Sequence, residues 1–346
     1  MTRIIQVGMG RWGQDWATRV FSEVPGAQLV GCVDSRAGAL AEIIKLGLVE
    51  EDGCFSSLEA AFDQWAAAAV LVTTDLPSHV AVVKLALEAG RHVLVEKPFA
   101  TSVAEAREAV DLAESLGLTL MVSQNYRFFP AVRAVQRLTR EARLGQLLHI
   151  DLDFRRHAPA TLTSLAGHRN WAQPLLLDMS IHHFDLLRAI IGAEPTSVYC
   201  RTHNPGWAEY REPPEGSATI DFGEDLTVNY RGSWIHPGPA TLWAGEWRME
   251  FEKGELWWTS RGDLQSALQD EAWIYDHKAK RRAVALPHLA RVDRAGALEA
   301  FVTAVSDGTE PESTGRENLG SLTLAYAAVA SSRGRKPVPV PIVSPP

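Results

Sequence analysis

The sequence predicts an α/β protein in two parts. Residues 1–125 read as a doubly wound parallel sheet, and residues 126–346 as an α+β domain with a mostly antiparallel sheet. Three observations carry this. Short apolar runs alternate with helical stretches through the first part, as repeated β-α units with helices on both faces of a parallel sheet require. Beyond residue 126 strand-like segments follow one another with few helical signals between them, which suits antiparallel pairing. The length of 346 residues matches about two domains at roughly 150 residues each.

The elements follow in order. Residues 4–7 form an apolar run that ends at a glycine cluster, and a helical stretch spans 11–24. Further apolar runs cover 27–33, 70–72, 92–95 and 118–122, continuous as strands buried on both faces should be. Ser102 and Glu105 form an S-x-x-E capping box, and Gly90 and Gly117 suit helix stops. In the second part, 130–143, 175–191, 294–306 and 318–332 read as helices. Strands are expected over 147–154, 197–202, 218–222, 226–234, 246–258 and 272–277, with a hairpin turn inside 251–256. Residues 203–216 read as a loop. The tail alternates Pro337, Pro339 and Pro341 with apolar residues and reads as an extended edge.

Composition narrows the function classes. The net charge of −8 disfavours a nucleic-acid partner, since phosphate binding wants a basic face. No run approaches the roughly 20 apolar residues of a membrane span. The chain enters a strand pattern at once, so no signal peptide is expected. Cys32, Cys54 and Cys200 give no CxxC and no disulfide framework, so a reducing, cytoplasmic compartment is expected.

Gly8, Met9, Gly10, Arg11, Trp12 and Gly13 spell G-x-G-x-x-G between a strand and a helix, with Asp34 closing the next strand. That context is what a dinucleotide fingerprint requires. Gly8 permits the turn, Gly10 lets backbone approach a pyrophosphate, and Gly13 allows close helix–strand packing. Asp34 is expected to receive the ribose hydroxyls, which favours NAD over NADP; Arg36 could instead pair with a 2′-phosphate or stack on adenine.

Glu96-Lys97-Pro98 follows the fourth strand, and Asp178-Met179-Ser180-Ile181-His182-His183-Phe184-Asp185 lies in the second part. Together with the glycine fingerprint, with Thr73-Thr74 and His79, with Gln124-Asn125-Tyr126-Arg127-Phe128 and with 315–332, these resemble the glucose–fructose oxidoreductase / inositol dehydrogenase / rhizopine catabolism (Gfo/Idh/MocA) family. The resemblance implies a Rossmann domain, a second domain with an open, mostly antiparallel sheet, and NAD(P)-dependent oxidation of a hydroxyl on a sugar, polyol or inositol. It also implies a homodimer or homotetramer paired through the open sheet; Trp243, Trp247, Trp257 and Trp258 would suit that covered face or the core equally. Three departures stand out: Gln173-Pro174-Leu175 replaces glycines, Ser180 stands where glycine is frequent, and Asp75 replaces a proline.

Oxidising an alcohol needs a proton acceptor and a group that stabilises the developing alkoxide. Read as one helix at about 100° per residue, 175–191 places Asp178, His182 and Asp185 within roughly 60° of one another and sends His183 about 140° away. Combined with the resemblance, this gives His182 as proton acceptor, Lys97 as the residue that holds and polarises the reacting oxygen, and Asp178 as the group that positions the substrate hydroxyl or tunes the pair; the three would be electrostatically coupled, so sequence does not assign the acceptor to one of them, and Asp185 is structural. Thr73, Thr74, His79, Glu96, Lys97 and Asn125 are expected to line the cofactor cleft. Arg155, Arg156, His157, Arg169, Asn170 and Trp171 are candidate substrate contacts. A metal site is not expected, because adjacent histidines on a helix diverge and no third spaced ligand follows. An NAD-dependent glycoside hydrolase using transient oxidation and a non-catalytic NAD sensor stay open as alternatives.

Overall fold

The computed structural model describes residues 1–161, 165–263 and 268–342. The chain divides into two compact units: residues 1–125 with 294–319, and residues 126–293 with 320–346. The sequence reading placed everything after 125 in the second domain. Residues 294–319, which carry the helix Asp293–Asp307 beyond its first residue, instead group with the first unit, a return that local pattern does not signal.

The first unit holds a parallel sheet of β1 (Thr2–Val7), β2 (Ala27–Val33), β3 (Cys54–Phe55), β4 (Ala69–Val72), β5 (His92–Val95) and β6 (Leu120–Val122). Their order is β3-β2-β1-β4-β5-β6. The crevice at the β1/β4 switch, beyond the carboxyl ends, is where such sheets bind ligands. Every residue of β4 is buried, as a strand covered on both faces must be. Ser102 Oγ accepts the Glu105 N–H at 3.2 Å as the capping box predicts, but the Glu105 carboxylate turns to the Thr101 hydroxyl. The helical run after Gly10 is not uniform. It passes from Arg11–Asp15 into a π-helical turn, Trp16–Val20, before Phe21–Glu23.

The second unit holds β7 (Leu147–Arg155), β8 (Ser197–His203), β9 (Glu215–Asp221), β10 (Thr227–Ser233), β11 (Glu246–Phe251), β12 (Gly254–Thr259), β13 (Glu271–Tyr275), β14 (Arg281–Ala283) and β15 (Val338–Pro339). Their order is β14-β13-β12-β11-β7-β10-β9-β8-β15. Pairing is antiparallel except between β7 and β10. The proline tail supplies β15 at the edge, where a missing N–H is tolerated. Trp247 and Trp258 are fully buried and stacked at 4.6 Å, so these two belong to the core, while Trp257 is half-buried on the outward face.

The segment read as a single α-helix over 175–191 is two elements. Gln173 takes a left-handed conformation (φ 50°), Pro174–Met179 forms a π-helical turn, and Ser180–Ile191 is α-helical. The 100° arithmetic therefore fails between Asp178 and His182, which lie on opposite sides of the join.

Candidate active site

In the first unit, the glycine loop is fixed by backbone contact. Gly8 sits at φ +96°, and a Cβ there would lie 2.6 Å from Thr74 N. A Cβ on Gly13 would fall 1.9 Å from Gly8 O. Gln6, not singled out from sequence, donates to Gly13 O at 2.8 Å and to Thr73 Oγ1 at 2.9 Å; Thr73 in turn donates to Gly8 O at 2.8 Å. The Thr73 hydroxyl thus ties the loop down. Gly10 differs: its added Cβ would meet only Arg36 Nη2, at 3.6 Å.

Asp34 is buried, and both carboxylate oxygens are engaged. Oδ2 accepts from Met9 N and Arg36 Nη2 at 2.8 Å each, and Oδ1 from Arg36 N and Nε at 2.9 Å each. Burial raises its pKa, but the hydrogen bonds from Arg36 and Met9 outweigh that and hold it below the usual carboxylate range. The two residues that the sequence set against each other over the ribose form one ion pair.

His79 is buried, with Nδ1 2.9 Å from Pro98 O and Nε2 3.2 Å from Thr74 O. Burial holds its pKa low, and a neutral ring donates to only one of these carbonyls. It braces the loops after β4 and β5. Glu96 also points inward, receiving Trp16 Nε1–H at 2.7 Å and the Lys97 backbone N–H at 3.1 Å. Lys97 is half-buried, Asn125 is buried, and Arg11 and Trp12 are exposed.

These features fit a dinucleotide. Gly10 leaves open the space that a pyrophosphate would take, and the first turn of the following helix carries backbone N–H groups without intrahelical acceptors. Thr74 Oγ1, beside the loop, is buried without a hydrogen-bond partner among the described residues.

In the second unit, His182 is buried and stacks flat on Tyr126, centroids 4.0 Å apart at 6°. Burial pushes the Tyr126 phenol well above its ordinary pKa, and the charges of Arg261, Asp293, Asp178 and Arg156 act on it. Asp178 lies 3.9 Å from His168 Nε2, and His168 Nδ1 lies 3.0 Å from the Tyr210 hydroxyl. Arg156 is buried over Trp243 at 4.4 Å and pairs with Asp263 at 3.1 Å. Arg261 lies over Tyr126 at 4.5 Å and pairs with Asp293 at 3.4 Å; both residues have left-handed backbone, φ 61° and 57°. Backbone strain of this kind persists where surroundings over-determine it.

Tyr126, His168, Arg261 and Asp293 carry no role that the sequence predicts. The signals available were the Tyr126 junction motif and the adjacency of His168 to Arg169; nothing local marks Arg261 or Asp293. The six candidate substrate contacts separate. Arg156 joins the cluster, and Trp171 packs edge-on to His168. Arg169 pairs with Glu209 at 2.6 Å, while His157 and Asn170 are exposed. Arg155 lines the outward sheet face, paired with Glu246 at 2.6 Å.

The other polar residues of the helix are committed to the core. Asp185 takes Arg127 bidentately at 2.6 Å and Ser321 at 2.9 Å, so it does not share the role of Asp178 and His182. His183 Nε2 faces Trp243 O at 3.0 Å and must carry the proton, so Nδ1 accepts from the Tyr230 hydroxyl at 3.2 Å. Among the described residues no His/Cys/Asp/Glu group could hold a metal, and no helix is long and apolar enough to cross a membrane.

Residues 2–124 match the model of an oxidoreductase family with an NAD-binding Rossmann fold, and residues 132–256 match the GFO/IDH/MocA C-terminal domain. The uncharacterized protein y4oX of Sinorhizobium fredii is 26% identical, over 98% of this chain and 95% of its own. The scyllo-inositol 2-dehydrogenase (NAD(+)) of Bacillus subtilis is 28% identical over 68% of each chain. An oxidoreductase from Agrobacterium radiobacter, solved with NAD+, L-tartaric acid and magnesium, superposes with a TM-score of 0.83 at 18% identity, covering 98% of each chain.

Proposed function

The chain belongs to the GFO/IDH/MocA family of NAD-binding oxidoreductases, and from that premise we propose that it oxidises a secondary hydroxyl of a sugar, polyol or inositol. The observation that carries this reading is the division of labour along 178–185. Asp185 and His183 are sealed into core networks, whereas His182 stacks on Tyr126 in a neighbourhood that includes Asp178, Arg156 and Arg261. NAD, when bound, supplies the hydride acceptor. Gly10 and the following helical turn would hold its pyrophosphate, on a loop shaped by Gly8 and Gly13, with Asp34 and Arg36 at the ribose. His182 accepts the substrate proton, Lys97 holds and polarises the reacting oxygen, and Asp178 orients the hydroxyl. The inositol dehydrogenase relative supports the polyol class. A homodimer or homotetramer forms on the outward face of the second sheet, where Arg231–Asp153 and Arg155–Glu246 pairs and Trp257 line a depression of about 660 Å³; light scattering measures it.

The test is a screen of sugars, inositols and glycosides with NAD and NADP, read by reduced-nicotinamide absorbance. Net NADH formation on a free polyol is expected. Turnover of glycosides without net NADH would replace this reading with hydrolysis. On the substrate found, His182→Ala and Lys97→Ala should each lower kcat by about 10²-fold with little change in NAD affinity. Lys97→Arg should not restore it, because a guanidinium differs in shape from an ammonium. If either alanine variant changes only KM, that residue is a binding contact.

A further inference from the structure

We propose that Trp16 is a positioning residue for Lys97, acting through the Glu96 carboxylate. This rests on the reading of Lys97 given above but uses only contacts inside the first unit. Trp16 is fully buried, and its indole N–H meets Glu96 Oε1 at 2.7 Å. Glu96 is 5% exposed, and its other oxygen accepts the Lys97 backbone N–H at 3.1 Å. The carboxylate is therefore a two-ended bracket: one oxygen is anchored to the helix that follows the glycine loop, the other to the backbone that presents Lys97.

The anchor is itself held. The Arg294 guanidinium lies over the Trp12 ring at 4.2 Å and the Trp16 ring at 5.4 Å, and it is ion-paired with Asp15. Trp16 opens the π-helical turn, a feature frequent at functional sites. On the other side of Lys97, the His79 ring faces Pro98 O. The lysine thus leaves a backbone fixed before and after it.

Charge makes the bracket strong. A hydrogen bond to an ionised acceptor is roughly twice as strong as a neutral pair, and a buried carboxylate that loses a donor seeks another. Deleting the indole N–H frees Glu96 to turn, and the Lys97 backbone with it. A misplacement of about 1 Å at a reacting group is enough to cost up to 10² in rate.

Trp16→Phe removes the donor and keeps an aromatic ring. We expect kcat on the polyol from the screen to fall about tenfold, with KM and the NAD dissociation constant within twofold. Hydrogen exchange of the Lys97 amide, followed by NMR without cofactor, should accelerate at least tenfold. In a Glu96→Ala background the same substitution should change kcat less than twofold, because its route is gone. Where Glu96→Ala does not fold, Glu96→Gln serves: a neutral amide accepts a weaker bond, so the Trp16→Phe effect should shrink to about threefold. Equal effects in both backgrounds, or unchanged Lys97 amide exchange, overturn the proposal. A lower Tm with unchanged kcat also overturns it and leaves Trp16 as core. Lys97→Met is measured alongside. If it retains kcat, the catalytic reading of Lys97 fails; if it loses kcat while Trp16→Phe does not, only the positioning inference fails.

Discussion

Two π-helical turns sit beside the two groups of candidate residues, and they are held in different ways. The first, Trp16–Val20, follows a loop whose shape is set by backbone: Gly8 against Thr74, Gly13 against Gly8. The second, Pro174–Met179, precedes a helix whose polar groups are tied by side chains far away in sequence, Asp185 to Arg127 and Ser321, His183 to Tyr230 and Trp243. Gly8 and Gly13 leave no room for added atoms, whereas the helix of the second region does not tolerate removed ones. Different substitutions should therefore break them, and in different measurements.

The largest expected effect is in the second region. Asp185→Ala leaves the Arg127 guanidinium, 4% exposed, without its bidentate partner. Breaking a buried ion pair on one side costs about 3–5 kcal/mol, whereas replacing both partners by apolar residues can be nearly neutral. Urea unfolding should show that loss in Asp185→Ala, and Arg127→Met with Asp185→Leu should recover most of it. A single variant as stable as the native chain would mean the network does not hold this helix.

The first region sharpens the contrast through two glycines. Gly10 has φ −67°, which any residue adopts, and its Cβ would touch only the Arg36 side chain. Gly10→Ala should keep its Tm within a degree or two yet weaken NAD binding by about 10²-fold, because the methyl takes the space needed by the pyrophosphate. Gly13→Ala should lose folding and binding together. Calorimetry and thermal melts on both decide it; NAD affinity unchanged in Gly10→Ala would move the phosphates elsewhere.

The same difference explains what was legible in the sequence. The parallel sheet, the glycine loop, Asp34 and Glu96-Lys97-Pro98 are local strings whose geometry follows from neighbours in the chain. The antiparallel sheet was legible too, from strand density. The partnership of Tyr126 with His182, of His168 with Asp178 and of Arg261 with Asp293 joins residues 56, 10 and 32 positions apart, and no periodicity encodes it. A single stripe through Asp178, His182 and Asp185 needs 3.6 residues per turn throughout, and the helix widens at the join between Met179 and Ser180. Gln173-Pro174, noted as a departure, was the one local trace of that join. For Asp34 and Arg36, sequence could not show that they bond each other first.

A smaller effect tests the second region by pH. Burial lowers the His183 pKa to about 4, against 6.5 for a free histidine. Between those values the unfolded chain binds a proton that the folded chain refuses, so stability rises with pH there and is lost as pH falls from 6.5 toward 4. From pH 7 to pH 5 this one group should cost about 2 kcal/mol. His183→Gln keeps a donor for Trp243 O and does not titrate, so its urea midpoint should fall less over the same interval. Parallel curves for both proteins would assign the pH dependence to other groups.

The smallest effect concerns the first region, where the Asp34–Arg36 pair makes cofactor choice a competition. Asp34 is ionised at neutral pH, and its charge disfavours a 2′-phosphate, so the native chain should bind NAD more tightly than NADP. Arg36 is bound bidentately, yet its side chain is 66% exposed, so it can swing while Asp34, also tied to Met9 N–H, stays. Asp34→Ala removes the ribose acceptor and releases the guanidinium at once. NAD binding should weaken about tenfold, or about 1.4 kcal/mol, while NADP binding holds or improves. Adding Arg36→Ala should then abolish the NADP gain without further loss of NAD. Calorimetry with both cofactors on the three proteins separates the contributions. If native protein binds NADP at least as tightly as NAD, the pair opens readily and Arg36 is the discriminator. If Asp34→Ala leaves both affinities unchanged, the carboxylate serves only to hold Met9 and Arg36, and the ribose is read by other residues.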